Sequence, residues 1–398
     1  MRFLKVKTIS LLVVFTAVFF VLSQAYACTG ITFSVVPKLG AGDEKHAFQA
    51  RTMEFGPDVT GWRLISVPRG YSYDSCRMNT CGGLGIIGFE WKSKYQFVGM
   101  SPARSGLPVL DEVTDGMNEK GLSCGGFYHM GFEEYKKNPE RGKALSNTDF
   151  VSWVLSNFAT VEELKDALNQ KKVDVVQFTL KIGDKLYCDG NTCPQLHYAV
   201  TDESGASIVI EFKGGEAKIF DNIGVITNNP TYDWHTTNVK NYIGLQALSR
   251  ENAVFNGNTY DKLGNGTGAI GLPGDFTPPS RFIRAMFFLS TSMPVQQGPD
   301  EAVARAFRIL NQFDIPEGSI VATSPTGQGS IQDSTAWTSL SDLKRKRYYF
   351  HSQTNRTVRM IELDKLPKNV ISSQELPAHD LIIDVSRKFV PVPVSNPR

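Results

Sequence analysis

What most constrains this chain is the position of Cys28, directly after a segment built to be removed. Arg2, Lys5 and Lys7 give a basic start, residues 9–22 form a mostly apolar run, and Ala25-Tyr26-Ala27 places small residues where a signal peptidase inspects its substrate. The run is shorter than the roughly 20 apolar residues that a membrane span needs, and polar Ser23 and Gln24 follow it. Residues 1–27 therefore read as a signal peptide. A cut after Ala27 makes Cys28 the first residue of the mature chain, residues 28–398. Two other readings use the same residues. An uncleaved anchor would keep the run in a bilayer. A lipoprotein would carry lipid on Cys28, although Ala25 and Tyr26 suit such a signal poorly. The expected product is periplasmic or secreted, with no stable membrane insertion after cleavage.

Net charge is +2, with acids and bases interspersed and no basic block. That argues against nucleic acid or an anionic membrane as the main partner. Among six cysteines, Cys76/Cys81 and Cys188/Cys193 each enclose four residues rich in turn formers. In an oxidising compartment two short-loop disulfides are the natural reading. A four-Cys zinc site is the rival, with knuckles that usually enclose about two to four residues. The pairing leaves over Cys124, read as a small buried thiol in a strand, and Cys28.

Residues 29–36 and 46–53 alternate as strands, and further strand patterns follow at 64–67, 95–99 and 122–127. The period then changes. Ser146 or Asn147 can cap a helix reaching Leu155, and Thr160 with Glu163 forms a capping box for a second helix through Leu168. Strands resume at 175–180, 198–201, 207–212 and 224–227. Helices are predicted from about Asn241 and over 281–289 and 300–313, with strands near 348–352 and 356–363. Strands in consecutive runs with helices clustered between them predict an α+β fold. Without a repeat, low-complexity linker or composition break, one compact domain is expected.

A cysteine freed at a chain terminus carries its own base. Its thiol has a pKa of about 8.5 and the α-amine one of roughly 7.7–8.0, so near neutral pH the amine can take the thiol proton. No separate histidine is then required, and the six His residues offer no obvious dyad partner. Neither a His-Glu-x-x-His nor a Gly-x-Ser-x-Gly motif is present.

The stretch Cys28-Thr29-Gly30-Ile31-Thr32-Phe33 resembles the start of the choloylglycine hydrolase family, the bile salt hydrolases and penicillin V acylases. The resemblance continues, in family order, through Arg51-Thr52-Met53-Glu54, Pro68-Arg69-Gly70-Tyr71, Asn118-Glu119-x-Gly121-Leu122, Thr227-Asn228-Asn229-Pro230-Thr231-Tyr232-Asp233 and Pro273-Gly274-Asp275 to Pro279-Ser280-Arg281-Phe282. It implies a four-layer αββα sandwich of the N-terminal-nucleophile type and an amidase that uses no cofactor. Cys28 would be the nucleophile and Arg51 would favour its thiolate. Glu54, one methylene longer than the family's Asp, would hold the α-ammonium. The Asn228 side chain and the backbone N–H of Tyr128 would bind the oxyanion, and Arg281 would support the site by pairing with an acid. Taken singly these residues are unremarkable: Asn228-Asn229-Pro230 is an ordinary turn, and Tyr128 reads as core or pocket wall.

Within the family Tyr128 matches penicillin acylases better than bile salt hydrolases. Phe55, Trp62, Phe127 and Phe132 could add aromatic wall against an acyl group. The expected substrate is a small N-acyl amide of penicillin V or acyl-homoserine lactone type, with a conjugated bile salt as the alternative. An acid-ceramidase-like amidase fits less well, because those enzymes cut internally. A lipid-anchored envelope protein that binds without catalysis is the reading from another class. The resemblance further implies a homo-oligomer, a tetramer, built partly by the segment between Asn228 and Arg281.

Overall fold

The structure is a computed structural model that describes residues 27–36, 44–55, 61–76, 81, 86–102, 112–182, 185–188, 193–293, 298–323 and 330–377. The signal segment lies outside them. In chain order, the strands of two large sheets are β1 (Cys28–Val35), β2 (His46–Phe55), β3 (Arg63–Val67), β4 (Phe97–Ser101), β5 (Asp115–Asn118), β6 (Ser123–Tyr128), β7 (Leu196–Thr201), β8 (Ser207–Lys213), β9 (Glu216–Asp221), β10 (Val225–Ile226), β11 (Ile320–Thr323), β12 (Ser330–Asp342), β13 (Arg347–Ser352), β14 (Arg359–Glu362) and β15 (Ser372–Glu375). The helices used below are α1 (Phe150–Asn157), α2 (Val161–Asn169), α3 (Tyr232–Asn238), α4 (Pro278–Ser292) and α5 (Pro299–Leu310).

The first sheet runs β10-β1-β2-β12-β13-β14, with β11 on β12; the second runs β9-β8-β7-β6-β5-β4-β3-β15. Their pairings are antiparallel, as short connections between consecutive strands favour. One apolar cluster joins Ile31, Phe48 and Trp337 of the first sheet to Val98, Met117 and Val209 of the second, and to Phe282 and Ala306 of α4 and α5. A second cluster packs Phe150, Val154 and Leu164 of α1 and α2 against Phe97, Tyr198 and Ile210 of the second sheet. The layers are therefore α4/α5, first sheet, second sheet, α1/α2: the αββα sandwich. Polar ties cross between the sheets. Gln49 donates to Ala199 O at 3.3 Å and accepts from the Thr201 hydroxyl at 2.7 Å. Asp115 accepts from Ser339 at 2.8 Å and from Tyr348 at 2.7 Å. Buried polar groups need such partners.

Several local expectations change. The 13-residue β12 has no counterpart in the sequence reading. Its serines and threonines obscure the alternation, and pairing with β2 and β13 on both sides makes it a strand. Ser146 and Asn147 do not cap α1: the N-cap is Asp149, and Asn147 instead donates to Pro194 O at 2.7 Å. Thr160 does cap α2, accepting from Glu163 N at 3.2 Å, while Glu163 accepts from Ala159 N. The helix expected from Asn241 begins at Tyr232 and passes into a 3-10 turn over Val239–Tyr242. Cys76 and Cys81 are joined, with S–S 1.97 Å, and Cys28 and Cys124 are buried free thiols. Cys193 is also disulfide-bonded, and the side chain of Cys188 lies outside the described residues.

Gly30 lets the sheets close beneath the site. A Cβ there would meet Phe127 Cζ and Ile226 Cγ2, each at 2.7 Å. Both are core side chains, so Gly30→Ala is expected to lose about 1–3 kcal/mol in urea unfolding; an unchanged midpoint would show that the interface yields freely.

Candidate active site

β1 and β2 pair Cys28 with Met53 and Gly30 with Arg51, which brings two β2 side chains beside the Cys28 thiol. Arg51 lies between the sheets. Its Nη2 donates to Cys28 Sγ at 3.1 Å and its Nη1 to Gly126 O, and Phe127 lies 4.1 Å from the guanidinium carbon. Trp337 is 5.4 Å away, and Met53 Sδ is 3.9 Å from Cys28 Sγ.

Cys28 N donates to Asn228 Oδ1 at 2.7 Å. In this uncut chain it is the Ala27–Cys28 peptide nitrogen, standing where an α-amine would be after cleavage. Arg281, fully buried in the first turn of α4, donates from Nη2 to the same Asn228 oxygen at 2.7 Å. Its Nη1 donates to Cys28 O and, at 2.9 Å, to Thr29 Oγ1, and its Nε donates to Phe276 O at 2.8 Å. Two donors on Oδ1 set the orientation of the Asn228 amide. Nδ2 then donates one hydrogen to Tyr128 O at 2.8 Å, and the second meets no acceptor among the described residues. The expected pairing of Arg281 with an acid takes another form: its hydrogen bonds go to neutral oxygens, and Glu54, the acid whose charge acts on it most, acts without a hydrogen bond to it.

Glu54 is fully buried. Oε1 accepts from Thr335 at 3.1 Å, Oε2 has no hydrogen-bond partner, and its backbone N–H donates to Ala27 O at 3.2 Å. Burial raises its pKa to about 7 against the pull of Arg281, Thr52, Thr335 and Arg51. Burial likewise raises the Cys28 thiol, Glu54 adding to the rise while Arg51 and Arg281 oppose it. The Tyr128 hydroxyl is pushed upward by burial and by the nearby Cys28 and Glu112 charges, so it stays protonated.

The aromatic residues divide. Phe127 is only 1% exposed and packs beneath Arg51, so it seats the guanidinium rather than lining an open wall. Trp62, also buried, meets Trp337 edge-on at 5.3 Å, one layer behind Arg51. Phe132 is exposed and stacks on His129 at 5.2 Å. The side chain of Phe55 lies outside the described residues. Met53 and Trp337 were not singled out from the sequence. Met53 sits inside a recognisable segment without a polar group to mark it, and Trp337 lies in the unread strand β12.

A second buried group, His129, His197 and Glu211, brings three ligand-type atoms within 4.8 Å of one another. The two rings stack at 4.2 Å with 9° between their planes, so their in-plane lone pairs run side by side instead of converging. His129 also has both nitrogens occupied, by Glu133 and Pro230 O. Glu211 stands 3.9 Å from His129 Nε2 and 3.6 Å from His197 Nδ1, so the three form a packed ionisable cluster whose stacked rings do not converge on one point as metal ligands would.

An αββα sandwich with a buried cysteine, arginines and an asparagine at the head of its first strand defines an N-terminal-nucleophile-type amide hydrolase fold. Residues 28–376 match the family described as linear amide C–N hydrolases, choloylglycine hydrolase family, and the chain belongs to it. It is an amide hydrolase. It is 36% identical over 278 residues to the bile salt hydrolase/transferase of Clostridium perfringens, covering 69% of this chain and 79% of that protein. A crystal structure of a mutant conjugated bile acid hydrolase from Clostridium perfringens superposes with TM-score 0.72 at 29% identity, covering 90% of this chain and 100% of that one. The penicillin V acylase of Agrobacterium tumefaciens gives TM-score 0.63 at 26% identity, covering 88% and 92%.

Glu54 makes the uncut chain pH-sensitive. Its pKa rises from an ordinary 4.5 to about 7 on folding, so the folded state holds the proton more tightly. The associated stability is present below the unfolded value and is lost as pH climbs to about 7, by up to about 3 kcal/mol. Urea unfolding of the uncut chain across that range checks this; Glu54→Gln should make the loss between pH 4.5 and 7 shallower, leaving the share of the other buried acids, Asp115, Glu133 and Glu211 among them.

Proposed function

We propose that a cut after Ala27 converts Cys28 into an N-terminal nucleophile that hydrolyses N-acyl amides, with residues 28–398 forming one amidase domain. The observation that carries this is the convergence on one residue: Arg51 at 3.1 Å from the sulfur and Asn228 at 2.7 Å from the nitrogen. The freed amine takes the thiol proton, and Arg51 and Arg281 favour the thiolate against the cost of burial. The thiolate adds to the amide carbon. The second hydrogen on Asn228 Nδ2 and the Tyr128 backbone N–H hold the oxyanion. The α-ammonium returns its proton to the departing amine, leaving an acyl thioester. The same amine then deprotonates water, which cleaves the thioester and restores the thiol. Glu54, with an oxygen lacking a partner, receives the ammonium.

The acyl group proposed is of penicillin V or acyl-homoserine lactone type, on the ground that the Tyr128 phenol lies close enough to feel the Cys28 charge. The 36% identity with a bile salt hydrolase/transferase supports conjugated bile salts as the second reading. Turnover of penicillin V, acyl-homoserine lactones and glyco- and tauro-conjugated bile salts, compared at one pH, decides between them. Cys28→Ser and Ala27→Arg are each expected to abolish hydrolysis of the best substrate; full activity in the uncut form would refute the self-base mechanism. We also propose export to the periplasm or medium. A free Cys28 in the intact mass of the exported protein is expected, and a lipid adduct there would favour the anchored, non-catalytic reading.

The proposed oligomer, a tetramer, draws support from the segment between Asn228 and Arg281, where Ile243, Leu248, Phe255 and Leu263 are exposed. Association surfaces present exposed apolar side chains of this kind. Light scattering is expected to give a multiple of the monomer mass, reduced by Phe255→Ser with Leu263→Ser; a monomeric parent would refute it.

A further inference from the structure

The loop that presents Asn228 leaves the sheet after Ile226, so its carbonyls need partners outside any ladder. Three histidines supply them. His197 Nε2 lies 3.1 Å from Thr227 O, His235 Nε2 3.0 Å from Asn228 O, and His129 Nε2 3.2 Å from Pro230 O. A carbonyl oxygen only accepts, so each ring must carry its hydrogen on Nε2. The rings are buried and come from three different places: β7, α3 and the end of β6. Each is also seated. His129 and His197 stack at 4.2 Å, and His235 stacks on Phe282 of α4 at 4.7 Å, next in sequence to Arg281.

We propose that His197, His235 and His129 are positioning residues for amide hydrolysis, fixing the backbone at Asn228 so that its side chain meets both the Cys28 nitrogen and Arg281. The inference rests on the function proposed above. A rigid backbone matters because Asn228 Oδ1 and Nδ2 face opposite duties, and a slip of about 1 Å in such a group can cost about 100-fold in rate. The clamp stays in one protonation form through neutral pH. Burial lowers all three imidazoles, His235 to about 4; Arg51 acting on His197 and Arg281 acting on His235 lower them further, while Glu211, facing His129 and His197, and Glu133, facing His129, are the acids on the other side. Among the described contacts none of the three rings touches the thiol; His197 also meets Phe127 edge-on at 6.2 Å, so His235, which bonds Asn228 O directly, is the ring whose effect runs through Asn228.

The test uses His235 in the processed enzyme, with turnover, circular dichroism and thiol titration measured on each variant. His235→Phe keeps the stack on Phe282 but not the donor. It is expected to remain folded, to keep KM within about twofold, and to lower kcat about tenfold or more. His235→Gln, whose terminal amide can reach where Nε2 stood, is expected to recover most of the rate; His235→Asn, too short to reach it, is not. Should the Phe variant fail to fold, the Gln and Asn pair carries the comparison. Unchanged kcat per titrated thiol in the Phe or Asn variant overturns the proposal, as does equal loss in Gln and Asn. Cys28→Ser in the same assay separates the two levels: if that variant still turns over substrate, the nucleophile assignment fails first.

Discussion

Everything around the thiol depends on keeping Arg51 charged between two sheets. A guanidinium at 1% exposure is strongly unfavourable unless its donors and its charge are both answered. Gly126 O and Cys28 Sγ take donors, Phe127 lies within cation–π distance, and Asp115 supplies an opposite charge. Gly125 is what lets acid and base approach. A Cβ there would stand 2.9 Å from Asp115 Oδ1 and 3.5 Å from Arg51 Nη1. The Ser339 and Tyr348 hydroxyls then hold Asp115 from the first sheet. Removing one member of such a set typically costs about 3–5 kcal/mol, because it strands a buried charge. The arrangement that brings a positive charge to the Cys28 thiol is therefore also part of what joins the sheets.

The same reasoning explains the second arginine. Arg281 has no carboxylate hydrogen bond among the described residues, and burial lowers its pKa. Its donors are answered by four neutral oxygens, three of them belonging to residues that form the site: Cys28, Thr29 and Asn228. Neutral acceptors leave its positive charge unspent, so the charge still acts on Cys28 and Glu54. A direct ion pair would have cancelled that field.

What the sequence revealed followed from how local each signal was. The β1 alternation, the Thr160–Glu163 cap and the close spacing of Cys76 and Cys81 are written within a few residues, and each appears in the structure. β12 was hidden because its face toward the second sheet carries hydroxyls that bond across the interface, as Ser339 and Ser341 do, so hydrophobic periodicity did not mark it. Phe127 looked like a wall residue because composition cannot distinguish an aromatic that meets a ligand from one that meets a guanidinium. The histidine clamp was unreadable for a deeper reason. Positions 129, 197 and 235 share no spacing and meet only when β7, α3 and the end of β6 surround one loop.

Glu54 is where the proposed cut after Ala27 would alter the electrostatics of the site. A fully buried carboxyl with one unpartnered oxygen, on a residue whose backbone N–H is bonded to Ala27 O, is left incompletely satisfied. A cut after Ala27 would exchange that neutral amide for an ammonium and release Ala27 O from the Glu54 backbone N–H. A new positive charge lowers a neighbouring carboxyl's pKa, which moves Glu54 from near-neutral titration toward full ionisation. The ammonium held by Glu54 would in turn lose its proton less readily. In the proposed mechanism the Glu54 carboxylate would therefore set two opposed quantities together: how firmly the terminus is anchored, and how easily its amine acts as the base.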